Sequence, residues 1–495
     1  MENFSLKKLG EAGIGFFQNE GETKLTELEE KVAKVFGEVA VNKGLALRHE
    51  VSRLPRFISE YLISRYCTTY PDIEVAFSKL SKVISENFPE PKDKDRVFYR
   101  LKRLGSIQLV DEFKVNVDLK RNLYLVQIPC LQIYDALADE GIIRKFERIL
   151  SGMWGLGTLE YRPDLLEDSE VKVSPILLTN IEPFQVYNIS LKEFVEKRSQ
   201  FSLNEWIDLI ITTIGLNPKV YSSRQKMLQL IRLVPLVEGN TNIMELGPRA
   251  TGKTYLYRNL SHYTRIYSGG AISPARLFFD ARLRIVGDIA TNDLVVFDEV
   301  SKIRFTNPDE MAGKLKDFMV DGFFERGTLK RAHSDCSLVF LGNIEKEETM
   351  RPEQIIHTLP DIMQDSAFID RIHGLIPGWE IPKIMKSEIQ LAQGIGLAAD
   401  YFAEIMHELR KENFRDLVNE HVEFSSNFTI RDENAVRKMI SGLTKILFPN
   451  KQFDLSEYKQ IIDLAVEMRQ YICDVLTEMS PSEFPRKRLK CEVRC

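Results

Sequence analysis

Ile243-Met-Glu-Leu-Gly-Pro-Arg-Ala-Thr-Gly-Lys-Thr254 decides the fold class. Ile243 to Leu246 has strand character and runs directly into Gly247-Pro-Arg-Ala-Thr-Gly-Lys-Thr254, and Tyr255 to Leu260 continues as helix. A glycine, four variable residues and then Gly-Lys-Thr between a strand and a helix is the phosphate-loop pattern. Its spacing serves the chemistry. Gly247 and Gly252 let the backbone fold so that the loop's N–H groups point inward at phosphates. Pro248, Arg249, Ala250 and Thr251 complete the cradle. Lys253 sets a positive charge against the β- and γ-phosphates, and the Thr254 hydroxyl is suited to ligating Mg²⁺. The positive end of the helix dipole adds to the attraction. A chance glycine-rich turn would need neither the strand nor the helix.

Moving outward, Leu294-Val-Val-Phe-Asp-Glu299 reads as a fully buried parallel strand with two carboxylates at its C-terminal edge. Ligands bind at that edge in open α/β sheets. Asp298 would hold Mg²⁺ through water, and Glu299 would polarise the attacking water. A third strand, Cys336-Ser-Leu-Val-Phe-Leu341, runs into Gly342-Asn343. Asn343 is suited to orienting the lytic water, and an ordinary turn asparagine reads the same way. Within Asp365-Ser-Ala-Phe-Ile-Asp-Arg-Ile372, Arg371 has two readings: a finger reaching a neighbouring subunit's γ-phosphate, or half of an Asp370–Arg371 structural pair. Thr429 opens a helix with apolar positions Val436, Met439, Ile440, Leu443 and Leu447. Arg437 sits about 100° from Val436, placed to reach back to the nucleotide from a helical lid. A second helix carries Ile461, Leu464, Ala465, Met468 and Ile472.

The remaining chain reads as follows. Residues 1–105 have helical spacing at Leu25, Leu28, Val32 and Val35 and at Phe57, Tyr61, Leu62 and Tyr66, ending in the basic stretch Tyr99 to Gly105. Residues 106–190 form a β-rich module. Phe113 to Leu119 alternates, Lys120-Arg-Asn122 turns and Leu123 to Ile128 returns as a hairpin. Gly157 to Tyr161 and Val171 to Leu178 add strands, and a barrel of the oligonucleotide-binding kind is one account among several. Residues 191–385 hold the α/β core, 386–480 the helical lid, and 481–495 a basic tail expected to be a disordered end.

Composition sets limits. The 495 residues suit roughly three domains at about 100–200 residues each. Lys and Arg total 67 against 72 Asp and Glu, a net charge of -5, which argues against a wholly basic nucleic-acid coat. No run of about 18 uncharged apolar residues occurs, so no membrane helix is expected. The opening residues have no apolar core behind Lys7 and Lys8, so a secretory signal is not expected. Six cysteines, far apart except for Cys491 and Cys495, and seven histidines show no metal-ligand or catalytic spacing, which fits reduced thiols and a cytoplasmic protein.

The order of these parts looks like an AAA+ P-loop ATPase. More narrowly, Met244 to Thr254, Ser268-Gly-Gly270, Phe297-Asp-Glu-Val300, Phe340-Leu-Gly-Asn343, Ile376-Pro-Gly-Trp-Glu-Ile-Pro-Lys383 and the helix from Ile430 resemble the BrxL-type, Lon-like proteins of BREX phage-resistance systems. The resemblance covers most of residues 200–475 and extends more loosely to Phe201-Ser-Leu-Asn-Glu-Trp-Ile-Asp208. It implies ATP and Mg²⁺ as ligands. Lys253 and Thr254 then match Walker A, Asp298 and Glu299 Walker B, Asn343 sensor 1 and Arg371 the arginine finger. Arg437 matches sensor 2, with Arg431 close enough to compete. Ala250 stands where these loops commonly have glycine, and no loss of activity is expected from it.

The resemblance implies a homo-oligomer, as a hexameric ring or stacked rings, acting on DNA in phage defence beside other BREX proteins and without a membrane. Arg326, Lys330 and Arg331, in Phe323 to Arg331, have two readings: exposed on a hairpin facing a ring pore, or solvated charges on an ordinary surface hairpin. Two alternatives stand: an ATP-switched DNA-binding scaffold that does not translocate, and a protein unfoldase serving a separate peptidase. Lon proteases carry a Ser–Lys dyad in a C-terminal domain. After residue 480 no space for one is left, so protease activity is not expected.

Overall fold

The hydrophobic period changes from helical to alternating at Gly105, and the backbone changes with it. In the computed structural model, which describes residues 25–70, 72–166, 173–184, 189–282, 284–344, 356 and 359–494, helices Arg56–Thr69, Ile73–Asn87 and Lys94–Leu104 precede this point. The last helix stops at Gly105, whose φ of 79° is the left-handed capping conformation. Five strands follow: β1 (Ser106–Asp118), β2 (Leu123–Ile128), β3 (Ile133–Ala138), β4 (Met153–Tyr161) and β5 (Ile176–Pro183). They close into a barrel in the order β1-β2-β3-β5-β4, with β3 and β5 parallel and a short helix, Glu140–Lys145, between β3 and β4. Phe113, Val115, Val126, Leu159 and Leu178 fill it. A Cβ at Gly157 would lie 2.4 Å from the Phe113 ring, so this position takes no side chain. The strand expected from Val171 begins only at Ile176, and Val171 itself lies outside the described residues.

The chain separates into two compact units, one built from Gly37–Asn188 and the other from Glu27–Phe36 with Ile189–Cys495. Within the second unit, Phe36 at the end of helix Glu27–Phe36 packs with its ring centroid 6.0 Å from Phe201 and 6.4 Å from Trp206. The Trp206 indole donates to the Ile446 carbonyl at 3.0 Å, tying this aromatic group to the helix Ile430–Leu447.

The core of this unit is a sheet of β6 (Ile243–Gly247), β7 (Thr264–Ile272), β8 (Leu294–Phe305), β9 (Ser337–Asn343) and β10 (Gly374–Pro377). Its order is β10-β6-β9-β8-β7, and every pairing is parallel. Parallel strands are covered on both faces, which explains their unbroken apolar runs. Leu294, Val295, Val296 and Phe297 are buried, and Phe297 stacks on Phe340 of β9 at 5.1 Å.

Helices Ala399–Lys411, Ile430–Leu447 and Leu455–Met479 are anchored at the edge where the strands begin. Arg410 donates to Asp335 at 2.9 Å, ahead of β9; Lys438 donates to the Asn240 carbonyl, ahead of β6; and Arg469 donates to the Ile372 carbonyl at 2.6 Å, ahead of β10. The phosphate loop leaves from the opposite edge. The tail is not a disordered end. Cys491–Val493 pairs antiparallel with Val422–Phe424, Leu489 and Cys491 are buried, and Lys487 bonds Asp432. Two apolar residues in a basic run supply the burial that the charge pattern conceals. No helix among the described residues is long and apolar enough to cross a membrane.

Candidate nucleotide-binding site

The C-terminal ends of β6, β8 and β9 lie side by side, because Asn343 pairs in register with Gly247 and Phe340 with Phe297. Gly247, Asp298 and Asn343 therefore come to one sheet edge. A Cβ at Gly247 would stand 2.5 Å from the Gly378 carbonyl carbon, so the crossing of the β10 end over the loop needs glycine there.

In the loop itself, Ala250 and Gly252 both have left-handed backbone, with φ of 65° and 78°. For alanine this costs about 1–2 kcal/mol. Lys253 is nearly buried, and its Nζ donates to the Gly247 and Pro248 carbonyls, both at 2.8 Å. Burial pushes its ammonium down to about 8. An ammonium held by two carbonyls, at a helix N-terminus, is suited to a polyphosphate. The Thr254 hydroxyl donates to Asp298 Oδ2 at 2.9 Å, while Asp298 Oδ1 accepts the Glu299 N–H at 2.9 Å. A hydroxyl and a carboxylate are hard oxygen donors of the kind Mg²⁺ takes, so the residues present fit the ion. Among the described residues no group of three His, Cys, Asp or Glu forms a separate metal site.

Two supports of the loop escaped the sequence. Arg232 and Glu245 are fully buried, and the guanidinium meets the carboxylate through Nε at 2.8 Å and through Nη2. Both terminal nitrogens of Arg232 also reach the Thr251 carbonyl at 3.3 Å. The second support is the segment after β10: the Ile384 N–H donates to the Ala250 carbonyl at 2.7 Å. The Ile376-to-Lys383 string was the signal for it, but a string alone gives no contact.

The arginines fall elsewhere. Asp370 pairs with Arg431 and, at 2.8 Å, with Arg469, so the Asp370–Arg371 pair does not form. Adjacent residues on a helical turn point apart. Arg371 Nη1 bonds the Ala367 carbonyl, and its Nε is buried with no hydrogen-bond partner among the described residues. Arg437 lies 3.6 Å from Glu433 and 4.9 Å from the Phe424 ring centroid. Its neighbour Lys438 is anchored at Asn240, ahead of β6. The Ile243–Gly247 strand, at about 3.3 Å per residue, separates that point from the phosphate loop. Arg437 therefore does not reach back to its own chain's loop, and Arg371, just ahead of β10, shares the far edge.

Phe323–Arg326 and Leu329–His333 do form a hairpin. Arg326 is not free on it, since it donates to Glu310 at 2.9 Å and to the Phe279 carbonyl at 2.7 Å. Lys330 and Arg331 are exposed, and Arg331 lies 4.3 Å from the Phe323 ring centroid.

Two family models match the chain. "Lon-like protease BrxL-like, ATPase domain" covers residues 176–490, and "BREX system Lon protease-like protein BrxL N-terminal" covers residues 34–161. The Lon-like protease BrxL of Escherichia coli is 32% identical over 440 residues, which is 88% of this chain and 62% of that protein. The Lon-like protease BrxL of Bacillus cereus is 33% identical over 467 residues, 93% of this chain and 68% of its own length. The chain thus spans about two thirds of the length of these curated relatives.

Proposed function

This chain belongs to the BrxL family of Lon-like proteins, with an ATPase domain of the AAA+ type, and from that premise we propose that it hydrolyses ATP in a ring of identical subunits to bind and remodel or translocate DNA. The observation that carries the reading is the meeting of Lys253, Thr254 and Asp298 at one sheet edge, beside Asn343 and Glu299.

The roles follow from position. The N–H groups of residues 249–254 and the Lys253 ammonium bind the phosphates; on binding, Lys253 exchanges two carbonyls for phosphate oxygens. Thr254 and Asp298 would hold Mg²⁺, which neutralises phosphate charge when bound. Glu299 takes the proton of the attacking water, and Asn343 orients that water. Arg371 and Arg437 stand away from their own loop, which favours both acting on a neighbour's nucleotide and so favours a homo-oligomer, as a hexameric ring or stacked rings. Arg431, engaged by Asp370, is the weaker sensor 2 candidate. The segment expected as the lid, residues 386–480, has its helices held at the edge where the strands begin, opposite their own phosphate loop.

DNA as the partner is supported by two features. Lys330 and Arg331 are exposed on the inserted hairpin, where phosphate contacts would give salt-dependent binding. In the first unit, the five-stranded order and the helix between β3 and β4 fit an oligonucleotide-binding barrel. The BREX name of the N-terminal family supports a role in phage defence beside other BREX proteins. A scaffold switched by ATP uses the same loop residues and is the second reading. Measuring ATP turnover against added DNA, with particle mass followed in parallel, tests the proposal. A motor accelerates with DNA and assembles; a switch assembles without acceleration; and a protein substrate that stimulates turnover where DNA does not would favour an unfoldase.

A further inference from the structure

The turn that carries Arg371 is gripped from behind. Arg469, fully buried on the helix Leu455–Met479, aims its guanidinium at that turn. One terminal nitrogen donates to the carbonyls on either side of Arg371, Asp370 at 3.1 Å and Ile372 at 2.6 Å. The other donates to Asp370 Oδ1 at 2.8 Å. Three bonds therefore straddle Arg371 without touching its side chain. With Asp370 taken by Arg469 and Arg431, Arg371 forms no ion pair among the described residues.

The grip is itself secured. Arg469 Nε donates to Asp432 Oδ1 at 2.9 Å, and Asp432 Oδ2 accepts from the Thr429 hydroxyl at 2.7 Å, the Thr429 N–H at 3.0 Å and Lys487 of the tail. Lys487, Asp432, Arg469, Asp370 and Arg431 thus form one run of alternating charge from the tail to the Arg371 turn.

We propose that Arg469 is a positioning residue for Arg371, fixing the backbone from which that arginine reaches a neighbouring subunit's nucleotide, and that the tail secures it through Asp432. This rests on Arg371 acting between subunits. Tying the helix to β10 needs one carbonyl; bonds to both neighbours of Arg371 and to the Asp370 side chain fix the turn at that residue. The planar fork of a guanidinium spans these acceptors, whereas an ammonium is a point charge that keeps the ion pairs and cannot span them.

The test uses the full chain and compares Arg469→Lys, Arg371→Ala and Glu299→Gln, alone and mixed. Arg469→Lys keeps the wild-type ATP Kd and particle mass and lowers kcat by about ten- to a hundredfold, the effect of a misplacement near 1 Å. Mixing it with Glu299→Gln, whose Arg371 is still held, returns activity in part; mixing it with Arg371→Ala does not, since neither subunit supplies a placed arginine. General damage to the fold would not give that pattern. Should Arg469→Lys lose particle mass, Lys487→Met at the outer end of the run, with a side chain 22% exposed, takes its place. It lowers kcat by about two- to fivefold with the same pattern of rescue. Wild-type kcat in the variant tested, or no return with Glu299→Gln where Arg371→Ala does regain activity, overturns the positioning and leaves Arg371 in its role. Normal turnover by Arg371→Ala alone overturns the role of Arg371, and the positioning with it.

Discussion

Substituting Arg232 by Met tests how the phosphate loop is held from beneath. The side chain is fully buried, and its partner Glu245 lies on the strand that feeds the loop. Removing one member of a buried ion pair leaves the other charge uncompensated, at about 3–5 kcal/mol. A domain of this size or somewhat smaller shifts by about 2 °C per kcal/mol, so unfolding of the ATPase unit should fall by about 6–10 °C. Adding Glu245→Leu removes the stranded carboxylate, and an apolar pair of similar volume is often neutral. The double variant therefore recovers most of the stability. It does not recover the two contacts to the Thr251 carbonyl at 3.3 Å, so the loop keeps only its Ile384 support and ATP affinity stays lowered. Thermal unfolding with and without ATP reads both effects, because ligand at about 100 times its Kd adds about 2.7 kcal/mol of stability. A single variant unfolding within about 2 °C of wild type, or a double variant binding ATP normally, refutes the reasoning.

Three further outcomes are expected. Burial holds Lys253 at about 8, and bound phosphate favours its charged form, so the complex carries more proton than the free protein. ATP affinity then falls as pH rises through that value, by up to about tenfold per unit, while Lys253→Arg gives a flat profile over the same range; a flat wild-type profile in calorimetric titrations would count against the buried ammonium. Ala250→Gly releases left-handed strain and adds glycine's chain freedom, a net gain of about 0.5–1 kcal/mol with ATP binding kept; a loss of stability on thermal unfolding contradicts the φ of 65°. Replacing Lys330 and Arg331 together by Ala should reduce the slope of log K for DNA against log salt by about 2, and an unchanged slope in anisotropy titrations removes the hairpin from the interface.

Local grammar carried much of the fold. Ile243 to Thr254 states strand, loop and helix in order, and the apolar run at Leu294 marks a strand buried on both faces. The alternation from Phe113 to Ile128 yields the β1–β2 hairpin with Asp118 opposite Leu123. Partner choice over long separations was not legible. The stripe on Glu27–Phe36 shows that the helix is buried, but not that Phe201 and Trp206 receive it. Arg232 and Glu245 look like solvated charges until the fold encloses them. Asp370 looks like the partner of its neighbour Arg371, whereas the far Arg469 fills that place. Arg437 has side-chain length to reach a nucleotide, and only the anchoring of Lys438 at Asn240 shows which end of the sheet it serves.

The measurement that bears most directly on the proposed ring ATPase is turnover in mixed assemblies of Glu299→Gln and Arg371→Ala subunits, each inactive alone. Arg371 stands at the opposite sheet edge from its own loop, so mixing places an intact Arg371 of one subunit beside an intact Glu299 of another. Activity should return in part, with a maximum at intermediate ratios and with particle mass unchanged. Mixtures that stay as inactive as either parent would contradict hydrolysis shared between subunits.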